Sequence, residues 1–281
     1  MQATSTDQQR ELHDQYQHDG YVIARNVLDS GLIQEARTHI EWLLAKHPDL
    51  RGEQLGHTLV QNDPFWVRLI SDDRLLNVAE QFIGPNIALF ASHYIAKQPF
   101  DGQAVLWHQD GSYWPLEPMQ VVTLWLAIDD STPENGCMRV IPGSHVMDIQ
   151  EVYKRTDVGN VLGSSMDSSL VDESKAFDLV LNAGDVSIHH PNTVHGSNAN
   201  HSPRWRRGLT IRYIPTSTRI VADAPWPSCF WLRGELVPNT NTYQPRPLFV
   251  EGRDMLFRGA KEWNQVAEEQ NKRLRQISGL G

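Results

Sequence analysis

Residues 182–197 read Asn182-Ala183-Gly184-Asp185-Val186-Ser187-Ile188-His189-His190-Pro191-Asn192-Thr193-Val194-His195-Gly196-Ser197. Asn182 to Asp185 is turn chemistry, Val186 to His190 reads as a strand, and His195-Gly196-Ser197 is its exit. The same texture recurs outward from this stretch. Residues 86–96, 119–128, 137–141 and 207–214 are short and rich in Val, Ile, Leu, Thr and aromatics, with Gly, Pro, Asn and Asp clusters between them. Short strands with turn punctuation predict a β-sandwich or barrel, of which the jelly roll is one form.

The flanks read differently. The first 85 residues are mostly helical in pattern. A polar surface helix is expected over 7–18 and a short strand over Gly20-Tyr21-Val22-Ile23. Asp29 or Ser30 can N-cap the next helix, whose Leu32, Ile33, Ala36, Ile40, Leu43 and Leu44 fall at helical spacing. Residues 73–83 repeat the pattern with Leu75, Leu76, Ala79 and Phe82, and Gly84-Pro85 closes it. Residues 147–180 form a long polar insertion, a length that often marks an active-site lid. Residues 222–247 are a Pro- and Trp-rich excursion, and 258–277 read as a charged helix with Trp263, Val266 and Ala267 on one side. The expected class is mainly β with flanking helices. Residues 1–281 are expected to form a single domain: a helical part to about 85, a barrel core over 86–215, and a C-terminal excursion and helix.

Composition narrows the function classes. The 281 residues are 40% hydrophobic and 21% charged, as in ordinary globular proteins, which excludes a fibrous or wholly disordered chain. No apolar run reaches the roughly 18 residues of a membrane span. The polar start MQATSTDQQRELHDQYQ does not read as a secretory leader. Two cysteines, Cys137 and Cys229, without a CxxC fit a reducing, cytoplasmic setting. A net charge of −9 argues against nucleic acid and anionic membranes as partners.

The chemistry begins at Leu106-Trp107-His108-Gln109-Asp110. On a strand, residues i and i+2 share a face, so His108 and Asp110 project together. Taken alone the pair fits a surface hydrogen bond as well as two corners of a metal site. Three histidines within seven residues, His189, His190 and His195, offer a third corner. Two histidines and a carboxylate on one side of a metal form the facial triad of non-haem Fe(II) oxygenases, and zinc in the same ligands is the chemical competitor. Eleven residues after His195 comes Arg206, on a strand where Arg206, Gly208, Thr210 and Arg212 share one face and Arg207, Leu209, Ile211 and Tyr213 the other. The first of these faces leaves room beside Arg206 for a small ligand, and a guanidinium suits a carboxylate.

In order and spacing, these residues resemble the phytanoyl-CoA dioxygenase family of iron(II)- and 2-oxoglutarate-dependent oxygenases. The resemblance is carried by His108-Gln109-Asp110, by Asn135-Gly136-Cys137 running into Ile141-Pro142-Gly143-Ser144-His145, by His195-Gly196-Ser197 and by Arg206. Asp19-Gly20-Tyr21-Val22 and Tyr94-Ile95-Ala96-Lys97-Gln98-Pro99 also fit, so that the likeness covers roughly residues 10–215. It implies a double-stranded β-helix (a cupin-like jelly roll) with His108, Asp110 and His195 as iron ligands, chosen over His189 and His190. It also implies that Arg206 and Ser197 hold the far carboxylate of 2-oxoglutarate, and that Lys97 and Trp125 line the co-substrate pocket. His145 is expected to be structural. Dioxygen and 2-oxoglutarate would be consumed, releasing succinate and carbon dioxide. Charge counting agrees: the far carboxylate needs a cation inside a low-dielectric barrel, and Arg206 is that cation. Halogenases related to the family carry Ala or Gly where Asp110 stands, so hydroxylation is expected, with desaturation and ring closure as the other oxygen-derived outcomes.

For a small-molecule substrate, Tyr113 and Trp114 are candidate walls and Arg212 a candidate contact for an anionic group. Residues 147–180 and Trp226–Arg233 are candidate covers. The competing functions are a cupin-like metal enzyme that does not use 2-oxoglutarate and a catalytically silent, ligand-binding barrel. No oligomeric state is read from the sequence.

Overall fold

The structure, a computed structural model, describes residues 6–278. Helix α1 (Thr6–Asp19) leads into strand β1 (Tyr21–Ala24), and α2 (Ser30–Lys46) follows. Asp29 caps α2 by accepting from the amides of Gly31 and Leu32, two of the donors a helix start leaves without partners. Helices α3 (His57–Val60), α4 (Pro64–Ile70) and α5 (Asp73–Ile83) complete the helical layer. Gly84 ends α5 at φ 80°, a left-handed backbone that suits glycine.

Two antiparallel sheets follow. The larger takes β1, β2 (Ile87–Lys97), β5 (Val122–Ala127), β10 (Val186–His189), β12 (Arg206–Pro215) and β14 (Phe230–Arg233), in the order β1-β10-β5-β12-β2-β14. The smaller takes β3 (Val105–His108), β6 (Met138–Val140), β9 (Phe177–Asp178) and β11 (His195–Ser197), in the order β3-β11-β6-β9. Two short antiparallel pairs, β4 (Leu116–Glu117) with β13 (Arg219–Ile220) and β7 (Tyr153–Lys154) with β8 (Ser164–Ser165), lie outside them. The architecture is a double-stranded β-helix, or jelly roll.

Alternation along β12 sorts the site from the core. Leu209, Ile211 and Tyr213 pack outward with Leu32, Ile33, Ile40, Leu75 and Leu76 of the helices in one buried cluster. The opposite face, with Arg206, Thr210 and Arg212, turns between the sheets, where Trp125 of the larger sheet meets Met138 and Val140 of the smaller. Register then aligns side chains across strands. Thr123 of β5 is paired with His189 on one side and with Arg212 on the other, so these three form one row across the inner face.

Several expectations are revised. The excursion after residue 222 contributes β14, which pairs with the Ile87–Leu89 end of β2. Trp226 stacks on His57 and Phe90, with ring centroids 5.5 and 5.0 Å apart, and packs in one cluster with Trp114. The insertion is partly ordered through β7, β8 and β9. In the last helix, α6 (Ala260–Ser278), Trp263 and Ala267 are buried but Val266 is exposed, because the buried stripe runs through Ala260, Trp263 and Ala267. No helix of the described residues is long and apolar enough to cross a membrane.

Candidate metal centre

Strand β3 ends at His108, and β11 begins at His195; the two residues are directly paired across the strands, with ring centroids 4.1 Å apart. Asp110 is not on the strand, as alternation alone would have it. Gln109 stays extended (φ −111°, ψ 128°) and hands the chain to a 3-10 turn that Asp110 opens, so the carboxylate still shares the face of His108. Gln109 is buried on the far side, where its amide donates to the Asn192 carbonyl (2.8 Å) and its oxygen accepts from the Gln150 amide (2.7 Å). The intervening residue thus ties the ligand turn to the loop before His195 and to the insertion.

His108, Asp110 and His195 each offer one ligand atom, and these atoms lie within 4.8 Å of one another, all buried. The Nδ1–H of His108 donates to the Leu106 carbonyl (2.8 Å) and that of His195 to the Thr193 carbonyl (2.9 Å). Each bond fixes the tautomer and leaves Nε2 with its lone pair free for a metal, the usual arrangement of ligating histidines. Burial, then the neighbouring His108 and His189, push the His195 imidazole well below its ordinary value, so it is neutral and ready to coordinate. Burial alone would raise the Asp110 carboxyl; Arg212, aided by the surrounding imidazoles, outweighs it and holds the group well below the usual carboxylate range. Two imidazole nitrogens and one carboxylate oxygen converging in a dry pocket fit a divalent transition metal.

The loop before His195 is held from outside. Ser144 accepts from the Val194 amide (2.9 Å) and donates to the Ile141 carbonyl (2.6 Å), while Thr193 donates to the Gly20 carbonyl. His145 donates to the Gln17 carbonyl and is no part of the ligand cluster. His190 faces away, and burial takes it down to about 4.

One cavity contains the three ligands and extends to Ser197, Arg206 and Trp125. Arg206 is 1% exposed, yet its Nε and one terminal nitrogen have no hydrogen-bond partner among the described residues. Burial, which penalises the charged form, lowers it to about 10. The guanidinium stands 5.2 Å from the Trp125 ring. Arg206, Thr210 and Arg212 of this face do line the cavity, while the space at Gly208 itself is filled by the Trp125 indole. Lys97 does not line the cavity. Its buried ammonium donates to the Ser197 hydroxyl (2.7 Å) and the Asn198 carbonyl, and burial, with Arg206 nearby, drives it well below its ordinary value.

The substrate candidates divide. Arg212 lines the cavity, with one terminal nitrogen 3.5 Å from Asp110 and the other donating to His93 Nδ1 (2.8 Å) and to Thr210 (3.0 Å). Tyr113 and Trp114 stand just outside it, the Tyr113 ring 6.1 Å from that of His108. The Tyr113 hydroxyl meets Ser164 of the insertion (2.8 Å), and Trp114 packs on Phe90 behind Arg212. Thr210, already placed on the Arg206 face, lines the cavity, as does His189, whereas sequence reasoning missed Thr123, His93 and Leu162. The first two follow from alternation with Trp125 and Lys97 on strands already recognised; Leu162 had no signal. A larger cavity, about 850 Å³, lies between the 220–245 segment and α6, and it includes none of the three ligands.

A jelly roll enclosing two histidines and a carboxylate defines a class, the non-haem iron oxygenases. The chain belongs to the phytanoyl-CoA dioxygenase family: a family profile described as Phytanoyl-CoA dioxygenase (PhyH) matches residues 16–208. Among curated relatives, "Phytanoyl-CoA dioxygenase 1" of Oryza sativa subsp. japonica is 28% identical over 197 residues, covering 69% of this chain and 67% of that protein. The "Probable alpha-ketoglutarate-dependent hypophosphite dioxygenase" of Stutzerimonas stutzeri is 31% identical over 193 residues, 67% of this chain but only 61% of that protein's length. Among solved structures, the non-heme monooxygenase ThoJ in its apo form shares the fold at TM-score 0.72 and 22% identity, covering 96% of this chain and 100% of its own. The epimerase SnoN, solved with Fe3+, alpha ketoglutarate and nogalamycin RO, shares it at TM-score 0.65 and 21% identity, covering 88% and 98%.

Proposed function

We propose that the protein is an iron(II)- and 2-oxoglutarate-dependent dioxygenase that hydroxylates a C–H bond of a small molecule, with release of succinate and carbon dioxide. The observation that carries this reading is the cavity itself: a facial triad at one end and an unpartnered, buried guanidinium at the other. A keto-diacid is the ligand that satisfies both ends, since its keto-acid end chelates a metal and its far carboxylate matches Arg206 with two parallel hydrogen bonds. Family membership and the printed names of the relatives support the same choice.

A ferrous ion held by His108, Asp110 and His195 supplies open coordination positions and the electrons that activate dioxygen. The remaining work falls to the chain. The Leu106 and Thr193 carbonyls keep both imidazoles oriented. Lys97 donates to the Ser197 oxygen, which leaves the hydroxyl proton free to point at the far carboxylate beside Arg206. Trp125 walls this end, and Ile95, Val105 and Met138 keep water out, so the charge pairing acts in a low dielectric.

Succinate release from 2-oxoglutarate with added iron(II) tests the reading. Turnover that falls to background in His108→Ala supports it, and equal turnover in that variant contradicts it.

A further inference from the structure

His189 is 1% exposed, and neither ring nitrogen has a hydrogen-bond partner among the described residues. Its Nε2 stands 3.6 Å from Asp110, a long contact that helps hold that carboxylate ionised, and its ring centroid lies 4.7 Å from that of His195. An imidazole buried with Nδ1 unused and Nε2 at only a long contact to Asp110 is costly, and His189 lines the cavity beside His108, Asp110 and His195. Across the same row of the sheet, on the other side of Thr123, Arg212 also faces this cavity, with its Nε–H unmatched among the described residues.

The other polar groups of the cavity have partners or roles. His108 and His195 give Nδ1–H to carbonyls and keep Nε2 for metal. Ser197 accepts from Lys97, and the Thr210 hydroxyl donates to the His93 carbonyl. Arg206 takes the far carboxylate in the reading above. His189 and the Nε–H of Arg212 are left.

Charge gives the chemistry of what they receive. A divalent metal, Arg206 and Arg212 face Asp110 and a doubly charged 2-oxoglutarate, which leaves one positive charge unmatched. Lys97, whose charge burial disfavours, does not offset the excess, and Glu53, whose field reaches Arg206, is itself paired with Arg51. An excess cation in a low-dielectric chamber favours an anion over a neutral group.

We propose that His189 and Arg212 form the recognition site for a small oxyanionic group, such as a carboxylate or phosphonate, on the primary substrate. This rests on the function proposed above, and it makes His189 a specificity-determining residue. The group is bracketed by the imidazole and the guanidinium Nε–H on either side of Asp110, which sets the distance between the anion and the oxidised carbon.

The test uses the full chain as its anaerobic complex with iron(II) and 2-oxoglutarate. Paired probes, namely acetate and acetamide, butyrate and butyramide, and benzoate and benzamide, are titrated in by calorimetry and by the visible absorption of the complex. The acids are expected to bind at least about tenfold more tightly than their amides, the scale of a buried hydrogen bond to a charge. His189→Leu should erase the preference, and His189→Gln, which keeps an N–H donor, should restore part of it; melting curves of both report folding separately. No preference for acids in the wild-type chain, with or without binding of either probe, overturns the proposal, as does full preference in His189→Leu. Failure of 2-oxoglutarate to bind the wild-type chain overturns the functional reading instead, and this inference with it.

Discussion

The indole of Trp125 occupies the volume that a side chain at Gly208 would need, and the same ring stands beneath the Arg206 guanidinium. A Cβ at Gly208 would overlap the six-membered ring of Trp125. Gly208→Ala therefore drives a buried ring toward the co-substrate cation. Stability should fall by about 1–3 kcal/mol, the usual cost of overpacking, and the KM for 2-oxoglutarate should rise with it. Denaturant melts and steady-state kinetics check this; no change in either would show that the ring is not the constraint.

Arg206 is a buried charge that only a ligand satisfies. Arg206→Met, similar in length and uncharged, removes that cost, so the apo chain should melt at the same or a higher temperature. The increase in melting temperature brought by 2-oxoglutarate should vanish in the same variant. A variant that melts lower and still responds to 2-oxoglutarate would contradict the assignment.

Ser144 links the turn at Pro142–His145 to the loop that delivers His195. Ser144→Ala leaves the buried Val194 amide without its acceptor, at a cost of about 1–3 kcal/mol. Metal affinity should weaken as well, because the loop carries the ligand. Chemical denaturation and a metal titration report the two effects separately.

Asp63 caps α4 through the Trp66 amide and pairs with the buried His39 at 2.8 Å. Burial raises its carboxyl, but His39 and the Trp66 amide outweigh it and hold the group below its ordinary value of 3.8. A depressed carboxylate contributes stability that is complete above its unfolded value, about 3.9, and is lost as pH falls through the folded one. Asp63→Asn should thus be less stable at pH 7, and its stability should decline less between roughly pH 4 and 3 than that of the wild-type chain. Urea melts across this range show whether the slopes differ.

Much of this architecture is legible in local sequence. Asp29 announces α2, the spacing of Leu75, Leu76 and Ala79 announces α5, and the H-x-D and His-Gly-Ser stretches mark the two strand ends that meet at the metal centre. What escapes is non-local. Nothing near Phe230 states that it pairs with Leu89, and the prolines around it disguise the strand. The row His189–Thr123–Arg212 exists only through register between three strands, although each residue's inward face follows from alternation. That Trp125 fills the space at Gly208 is equally non-local, because a missing side chain in a sequence does not show which neighbour takes its place. Val266 looked buried because two positions of one helix turn were grouped where only Trp263 and Ala267 share the packed stripe.

The central claim is that one cavity holds a metal through His108, Asp110 and His195 and a keto-diacid through Arg206. Its most direct test is anaerobic thermal melting of the wild-type chain with iron(II), with 2-oxoglutarate and with both. With each ligand near a hundredfold its dissociation constant, binding should add about 2.7 kcal/mol of stability per site, with the joint effect lost in His108→Ala. An unchanged melting temperature with both ligands present, or an equal increase in His108→Ala, would contradict the account.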